Sequence, residues 1–477
     1  MESLSQRLAE FAHDLVLEQL PEGVREHVKL LVLDAAGLCL ASRDEDFIQP
    51  VLEVVEELGG PPESHPLGIA RSMPAPSAAL VGGTLVHGLD FDDSHVGSTI
   101  HTTSSVVPVA LAVGELQGRS GREVLTAIAA GLEINARIGL GAGDGFHRRG
   151  FHPTGVCGCL AASATAGRLL GLDARGIVQA MGISGSMAGG LREAYLGGET
   201  WTKRLHPGWA GHGGIIAARL AARGFSGPEH VLDGRFGVYN AMLGSGNWDP
   251  SAVVHGLGES WEIRSIGFKP YPCGVVIHPF LDALRSLMVE HQLSGGDIAS
   301  MHCRVAPGAL ETVCEPVAEK IRPASEYQAK FSLQFCLAAL ALQGTVDIDT
   351  FRPETAHNAA ILELAARITC EPDPSQPYPR RHTADLQVTT RDARRFSRTE
   401  AASRGGPDIP MTADEVRHKF RSNAERSLPV DRVQALERAI LGLESLADTR
   451  RMLECALPVA GARQSGVAVR TVPRLDG

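Results

Sequence analysis

Residues 105–140 read SVVPVALAVGELQGRSGREVLTAIAAGLEINARIGL, and their apolar side chains recur at helical spacing. The run predicts one helix over residues 105–116 and a second over residues 121–140, joined by a short polar connector. Alanine and glycine are frequent on the faces of both segments, which lets neighbouring helices approach closely. The stretch therefore indicates a thick bundle of closely packed helices.

The same helical pattern extends on both sides of this pair. Pro21 opens a helix at its first turn, where its missing N–H costs nothing. Glycine-rich connectors, residues 141–145 and 197–198, separate some of the segments. The further predicted helices cover residues 5–20, 21–40, 77–89, 155–170, 174–188 and 211–223.

The pattern changes near Ile266. Residues 299–305 (ASMHCRV) predict a strand, and residues 383–390 and 394–400 predict a hairpin. Helices are predicted before and between them, over residues 279–291 and 332–342, and charged amphipathic helices return over residues 414–446. We therefore expect a mainly α protein. A large all-helical domain, discontinuous in sequence (1–266 and 404–460), carries an inserted smaller α+β domain (267–403) and a C-terminal tail (461–477).

Composition excludes several classes of protein. The 477 residues carry 45 Lys and Arg against 55 Asp and Glu, a net charge of −10. With no basic run, this charge argues against nucleic-acid and acidic-membrane partners. No stretch reaches 18 apolar residues, the N-terminus lacks a basic start with an apolar core, and the nine cysteines form no CxxC. These features predict a reduced, cytoplasmic protein.

Four polar stretches are candidates for chemistry. The first, residues 87–101, holds three carboxylates and three histidines within 15 residues. Like charges this close are costly unless they are solvated, paired or metal-bound. The structural alternative is a capped, solvated loop. A metal held by Asp90, Asp92 or Asp93 with His95 or His101 is a less favoured interpretation, because lysines in the same cleft would compete with it.

The other three stretches carry cations next to helix starts or prolines. Residues 148–155 place His152 and two arginines before a helix, an arrangement that favours an anion. Residues 202–212 place Lys203 and His206 at a second loop-to-helix junction, and residues 267–274 place Lys269 at the domain junction, where ligand clefts are common. Solvated basic turns and a stiff linker are the structural alternatives. The chain has only six lysines, so those two stand out.

Several familiar sites are absent from the sequence. There is no GxGxxG after a strand, no Walker A loop, no GxSxG and no HExxH. Cys273 is a weak candidate nucleophile, because no residue nearby in the sequence would activate it. What remains is a pocket in which cations bind carboxylates and stabilise the charge of an ionised C–H bond, while an Asp or His accepts the proton.

At these stretches the sequence resembles the MmgE/PrpD family, which includes 2-methylcitrate dehydratase, cis-aconitate decarboxylase and iminodisuccinate epimerase. The matching motifs are HGLDFDDSH, GFHPTG, TKRLHPGWAGHGG, GFKPYPCG and YQAKFSLQF. The resemblance implies a helical domain with an inserted α+β lid, a homodimer, and no metal or organic cofactor. It implies catalytic positions at Asp90, His101, His152, Lys203 and Lys269.

Substrate contacts are expected from Ser94, Arg204, His206 and Tyr271. Two positions depart from the decarboxylase pattern: Gly274 stands where those enzymes have a His, and Phe335 stands where a Tyr is expected. We therefore predict a cofactor-independent enzyme acting on a small di- or tricarboxylate, first a 2-methylcitrate dehydratase-like hydro-lyase. The alternatives are an epimerase of the iminodisuccinate type, a cis-aconitate-type decarboxylase and an inactive metabolite-binding member. A metal-dependent hydrolase is a further class.

Overall fold

The computed structural model describes residues 2–196, 200–379 and 381–457. The chain is 58% helical with small sheets, which confirms the mainly α prediction. The connector at residues 197–198 and the tail at residues 461–477 lie outside the described residues.

Helices form most of the first 265 residues. The main ones span Leu4–Asp14, Glu22–Ser42, Gln49–Leu58, Ala75–His87, Thr103–Gln117, Gly121–Ala142, Pro153–Leu169, Ala174–Gly185 and Thr202–Ala221. Shorter helices span Gly145–Arg148, Glu193–Leu196, Val238–Leu243 and Pro250–Val254. Side-chain caps support several starts: Ser3 and Ser120 both accept a hydrogen bond from the N3 amide in capping boxes.

The later residues mix helices with one four-stranded sheet. Its strands are Ile298–Val305, Ile368–Pro372, Ala384–Thr390 and Arg395–Glu400, and a separate two-stranded pair joins Ser94–His95 to Ile266–Gly267. The helices are His278–Glu290, Pro307–Val313, Val317–Ile321, Glu326–Ala329, Leu333–Gln343, Pro353–Ala356 and Ala359–Ala365, followed by Ala413–Ala424, Val430–Leu441 and Arg450–Ala456.

The sheet confirms the predicted strand and hairpin and adds a strand. Ala384–Thr390 pairs antiparallel with Arg395–Glu400, and Ile298–Val305 pairs with the hairpin on one side. On its other side, the Ile298–Val305 strand pairs in parallel with Ile368–Pro372, and Cys303 lies opposite Cys370 in this pairing. The sequence analysis missed that strand because it is short, largely exposed and ends in a proline.

Buried apolar side chains form two clusters. The first gathers residues from the N-terminal helices up to Phe268, and its C-terminal contributions come from Val416 to Ala456, with Ile348 joining them. The second gathers Tyr271 to Val388 around the four-stranded sheet. The chain thus leaves the first cluster near residue 270 and returns to it near residue 416.

One described helix, Gly121–Ala142, has the length and hydropathy of a membrane span. Its most apolar window is 94% buried inside the fold, as expected for the core helix of a bundle.

Candidate active site

Asp90 lies where the chain reverses after the Ala75–His87 helix. Its φ of 53° is in the left-handed region, which aspartate tolerates better than most residues. The side chain is buried, with 1% of the residue exposed. Strained backbone of this kind is concentrated at functional sites, because the surrounding structure must enforce it.

Lys203 reaches Asp90 because two helices pack at very close range. A Cβ placed on Gly83 would lie 2.6 Å from the Cα of Gly208, so the Ala75–His87 and Thr202–Ala221 helices meet backbone to backbone. The Nζ of Lys203 lies 2.5 Å from Asp90 Oδ1. Lys203 lies at a loop-to-helix junction, as predicted, but the predicted helix start at residue 211 is wrong: the helix begins at Thr202 and continues through Pro207.

Lys269 approaches the same carboxylate from the other side. The Ile266–Gly267 strand pairs with Ser94–His95 and thereby carries Lys269 to the turn at Asp90. Its Nζ donates to Asp90 Oδ2 and to the Asp90 carbonyl, both at 3.0 Å. Burial opposes ionisation of Asp90, but the two ammonium groups outweigh it and hold the pKa of this carboxyl well below its usual range.

Four histidines surround this charged cluster. His101 Nδ1 donates to the carbonyl of Asp93 at 2.6 Å, and His152 Nδ1 lies 2.9 Å from His206 Nδ1. His87 Nδ1 lies 2.7 Å from Asp92 Oδ2. Burial lowers the pKa of His101 to about 3 and that of His206 to about 4, and burial and nearby Lys203 push those of His87 and His152 well below their usual value. All four imidazoles are therefore neutral at pH 7.

The loop between Asp90 and His101 is fixed by a second carboxylate. Asp93 Oδ2 accepts hydrogen bonds from the amide and hydroxyl of Thr102 at 2.8 and 2.7 Å. Asp93 Oδ1 accepts from the amide of Thr103 at 3.1 Å and also from its hydroxyl. Asp93 thus caps the Thr103–Gln117 helix and is occupied by structural bonds, so the sequence motif combines a site carboxylate with a capping one.

A cavity of about 640 Å³ opens above Asp90. The N-terminal part of the chain forms most of the first apolar cluster. Its residues in the cavity wall include Asp90, Ser94, His101, His152 and Lys203. The later residues contribute Lys269, a short run at 274–276, residues 306–308 and 311–313, Phe331 and part of residues 374–382. The cavity is thus formed jointly by the two parts of the chain and is large enough for a small metabolite.

All five predicted catalytic residues line this cavity, and so does Ser94. The other expected substrate contacts lie outside the described cavity wall. Arg204 is buried between the rings of Phe47 and Tyr327 and pairs with Glu326 at 2.5 Å. The Tyr271 hydroxyl donates to Asp282 at 2.7 Å, and His206 stands behind His152.

The structure also bears on two less favoured interpretations, the cysteine nucleophile and the metal site. Cys273 is buried, and burial raises the pKa of its thiol well above the usual value, so the thiolate needed for nucleophilic attack is suppressed. His95 faces Ser98 and Glu262, and Asp90 faces the two lysines. Of the metal ligands that the sequence suggested, Asp92 and His101 lie close together, with Asp92 Oδ1 3.7 Å from His101 Nδ1. One ring nitrogen from each of His87, His101 and His152 converges, all within 4.8 Å of one another.

Several cavity residues were not anticipated. His147 and Arg192 line it from the helical part, and Gln376, Tyr378 and His382 line it from the later part. Arg148, which also lines the cavity, was part of the predicted stretch at residues 148–155. The other residues belong to no motif, and a single sequence does not indicate which isolated polar residues face a cavity. His87 belongs to the predicted stretch at residues 87–101, but no role was assigned to it.

Comparison with known proteins finds relatives over nearly the whole chain. Family models match residues 6–251 as the MmgE/PrpD N-terminal domain and residues 271–445 as the MmgE/PrpD C-terminal domain. The cis-aconitate decarboxylase of Homo sapiens is 28% identical over 472 residues, covering 94% of this chain and 93% of the relative. A cis-aconitate decarboxylase-like protein of Aspergillus oryzae is 26% identical (94% and 96% covered), and the cis-aconitate decarboxylase of Aspergillus terreus is 25% identical (94% and 95% covered).

Proposed function

The chain belongs to the MmgE/PrpD family, and from that premise we propose that it is a lyase acting on a small polycarboxylate by proton transfer at carbon. One observation carries the proposal. Two buried ammonium groups, Lys203 and Lys269, share the single carboxylate of Asp90 at the cavity floor. The cluster has a surplus of positive charge in a site screened from water, and such a surplus binds carboxylate and stabilises a developing enolate.

Asp90 suits the role of anchor better than that of base. Both of its carboxylate oxygens accept hydrogen bonds from lysines, and its pKa is lowered accordingly. A carboxylate with so low a pKa is a weak proton acceptor at pH 7. Of the Asp or His expected to accept the proton, we therefore choose a histidine, and we assign Asp90 to hold Lys203 and Lys269 in position.

His101 suits the role of proton acceptor. Its Nδ1 donates to a backbone carbonyl, which fixes the tautomer and leaves the Nε2 lone pair available. The residue lines the cavity and its neutral state at pH 7 is the basic one. His152 lines the cavity too, with His206 behind it, and is the second candidate for moving a proton.

Decarboxylation is the first reaction to test, because the full-length relatives compared above are named for it. Loss of CO₂ leaves an electron pair that the neighbouring unsaturated carboxylate accepts, and a proton then adds at carbon. The two lysines would stabilise the charge of this intermediate. Phe335, which replaces an expected Tyr, is fully buried beside Phe351 in the second apolar cluster, so this departure changes the core.

Dehydratase chemistry is the second candidate, favoured by Gly274. This residue lines the cavity where decarboxylases have a His, so the wall there offers no imidazole to donate a proton. Elimination of water, or its addition, could use the same lysines and His101. The epimerase alternative, the lid domain at residues 267–403, the homodimer, the absence of a cofactor and the compartment stay predictions.

NMR in heavy water tests the proposal. Purified protein is incubated with cis-aconitate, citrate and 2-methylcitrate, and the products are followed by carbon and proton spectra. We expect turnover of at least one substrate with deuterium entering at carbon. Decarboxylation would release CO₂, whereas hydro-lyase activity would interconvert alkene and alcohol.

The matched control is a lysine that is equally buried but distant. Lys29 is 4% exposed and pairs with Glu26 and Glu444. Lys29→Met should retain turnover, whereas Lys203→Met should lose it. A folded wild-type protein that binds these acids without turnover or exchange would reject the lyase and leave the metabolite-binding alternative.

A further inference from the structure

Three imidazoles meet at the inner end of the cavity. The ring centroids of His87 and His101 are 4.8 Å apart, those of His87 and His152 are 5.6 Å apart, and those of His101 and His152 are 6.3 Å apart. One ring nitrogen from each lies within 4.8 Å of the other two. His101 and His152 line the cavity, and His87 lies behind them, fully buried.

The hydrogen bonds on the opposite sides of two rings aim lone pairs at this meeting point. Asp92 Oδ2 can only accept, so His87 Nδ1 carries the proton and Nε2 is the lone-pair nitrogen. The Asp93 carbonyl likewise accepts from His101 Nδ1. Metal-binding histidines show the same arrangement, in which a carboxylate or carbonyl orients each ring.

Two buried polar atoms at this point lack a hydrogen-bond partner among the described residues: His87 Nε2 and Asp92 Oδ1. Leaving buried polar atoms unsatisfied costs free energy, so such atoms call for an explanation. Asp92 Oδ1 lies 3.7 Å from His101 Nδ1. A cation bound between the three rings would satisfy the lone pair of His87 and offset the charge of Asp92.

The local charge does not forbid a cation. Two further carboxyl groups, those of Asp92 and Asp93, are buried beside the rings and lie outside the cluster of Asp90, Lys203 and Lys269. Asp92 contacts His87 and lies 3.7 Å from His101, so it is placed to offset the charge of a bound cation in spite of the nearby lysines.

We propose that His87, His101 and His152 form a binding site for Zn²⁺, oriented by Asp92. Tetrahedral zinc with Zn–N bonds of about 2.0–2.1 Å separates its nitrogens by about 3.4 Å, so the rings need to close by roughly 1 Å. The fourth position faces the cavity and takes water or a carboxylate. Zinc there competes with the substrate for His101 and His152 and inhibits turnover. This last consequence rests on the proposed function, whereas binding itself does not.

Cobalt provides the direct test of the ligands. The full-length protein, freed of metal by a chelator, is titrated with Co²⁺ and then with Zn²⁺ without substrate. We expect a visible spectrum of tetrahedral cobalt with nitrogen ligands, displaced by Zn²⁺ at one equivalent per chain. No saturable binding, or a thiolate charge-transfer band showing cysteine ligands, would overturn the site.

Variants identify the residues. Asp92→Asn should weaken Zn²⁺ binding about 10–100-fold, as loss of an orienting partner does in known sites. His87→Gln should abolish the cobalt spectrum. His65→Gln is the matched control, because His65 Nδ1 also pairs with a carboxylate, Glu115, but away from the cavity. Equal zinc affinity in folded His87→Gln and wild-type protein would overturn the assignment, and the wild-type spectrum decides the question if that variant does not fold.

The two proposals fail separately. Zinc binding to a protein that turns over none of the acids would leave the metal site standing and reject the lyase. Turnover without zinc binding or zinc inhibition would do the reverse.

Discussion

Two buried aspartates, 56 residues apart in the chain, carry opposite pKa shifts. Asp34 pairs with one ammonium group, that of Lys419, at 2.8 Å, and burial raises the pKa of Asp34 to about 6 in spite of that pairing. Asp90 is equally buried but pairs with two ammonium groups, and its pKa is lowered. One additional lysine therefore changes a neutral internal pair into a cluster with surplus positive charge.

The positions of the two clusters match this difference. Lys419 also donates to the carbonyl of Phe91 at 2.8 Å, and so ties the Ala413–Ala424 helix to the turn beside Asp90. It lies outside the described cavity wall, whereas both lysines of Asp90 line it. The cluster of Asp34 and Lys419 therefore holds the turn in place, and the cluster of Asp90, Lys203 and Lys269 faces the cavity.

The largest expected effect is on stability, at the internal pair. Lys419→Met leaves Asp34 buried without its partner, which should cost about 3–5 kcal/mol in the free energy of unfolding. Unfolding in urea measures this. The double variant Asp34→Leu, Lys419→Met should recover most of the loss, because it removes both charges. A double variant as unstable as the single one would show that the pair is not the source of the effect.

At the cavity floor the main loss should be in turnover. Lys203→Met or Lys269→Met removes one ammonium group, while Asp90 keeps the other, so the fold should survive. We expect kcat/KM to fall about 10²–10³-fold, as on removal of one donor to a developing oxyanion. Steady-state kinetics beside circular dichroism measures both quantities. Turnover near that of Lys29→Met in either variant would contradict the assigned role.

Acid should destabilise the cavity side of the molecule. Burial lowers the pKa of His101 to about 3 and those of His147, His206 and His382 to about 4. Unfolded histidine has a pKa near 6.5, so between about pH 6.5 and 4 the unfolded chain binds more protons. Stability is therefore complete above about pH 6.5 and is lost as the pH falls through this window, by roughly 1 kcal/mol per histidine and pH unit.

Thermal unfolding at pH 7, 6 and 5 measures this slope. His206→Gln should flatten this slope, because it removes one of the four histidines with a lowered pKa. A midpoint that stays constant or rises on acidification would contradict the neutral state assigned to these rings.

The sequence predicted most of the helices and singled out Asp90, Lys203 and Lys269, which the structure brings together. Amphipathic spacing reports burial over many residues, and Lys203, Lys269 and Asp90 lie in dense polar motifs. Other features depend on packing that no local pattern encodes. The helix at Thr202 begins nine residues earlier than predicted, because its first turns contain Pro207 and Gly208, which favour loops, and Gly208 is needed there for close contact with the Ala75–His87 helix. His382 and Arg192 reach the cavity from loops without a motif.

The smallest expected effect concerns Tyr271, and it tests whether this residue belongs to the active site or to the core. The sequence analysis expected Tyr271 to contact the substrate, but its hydroxyl donates to Asp282 and its ring lies edge-on to that of His278. Tyr271→Phe removes one hydrogen bond, which should cost about 1 kcal/mol in the free energy of unfolding and leave kcat/KM unchanged. Urea unfolding and steady-state kinetics measure the two. A loss of turnover without a loss of stability would show that Tyr271 contacts the substrate. The cavity wall would then have to close further around the substrate than it does in this structure.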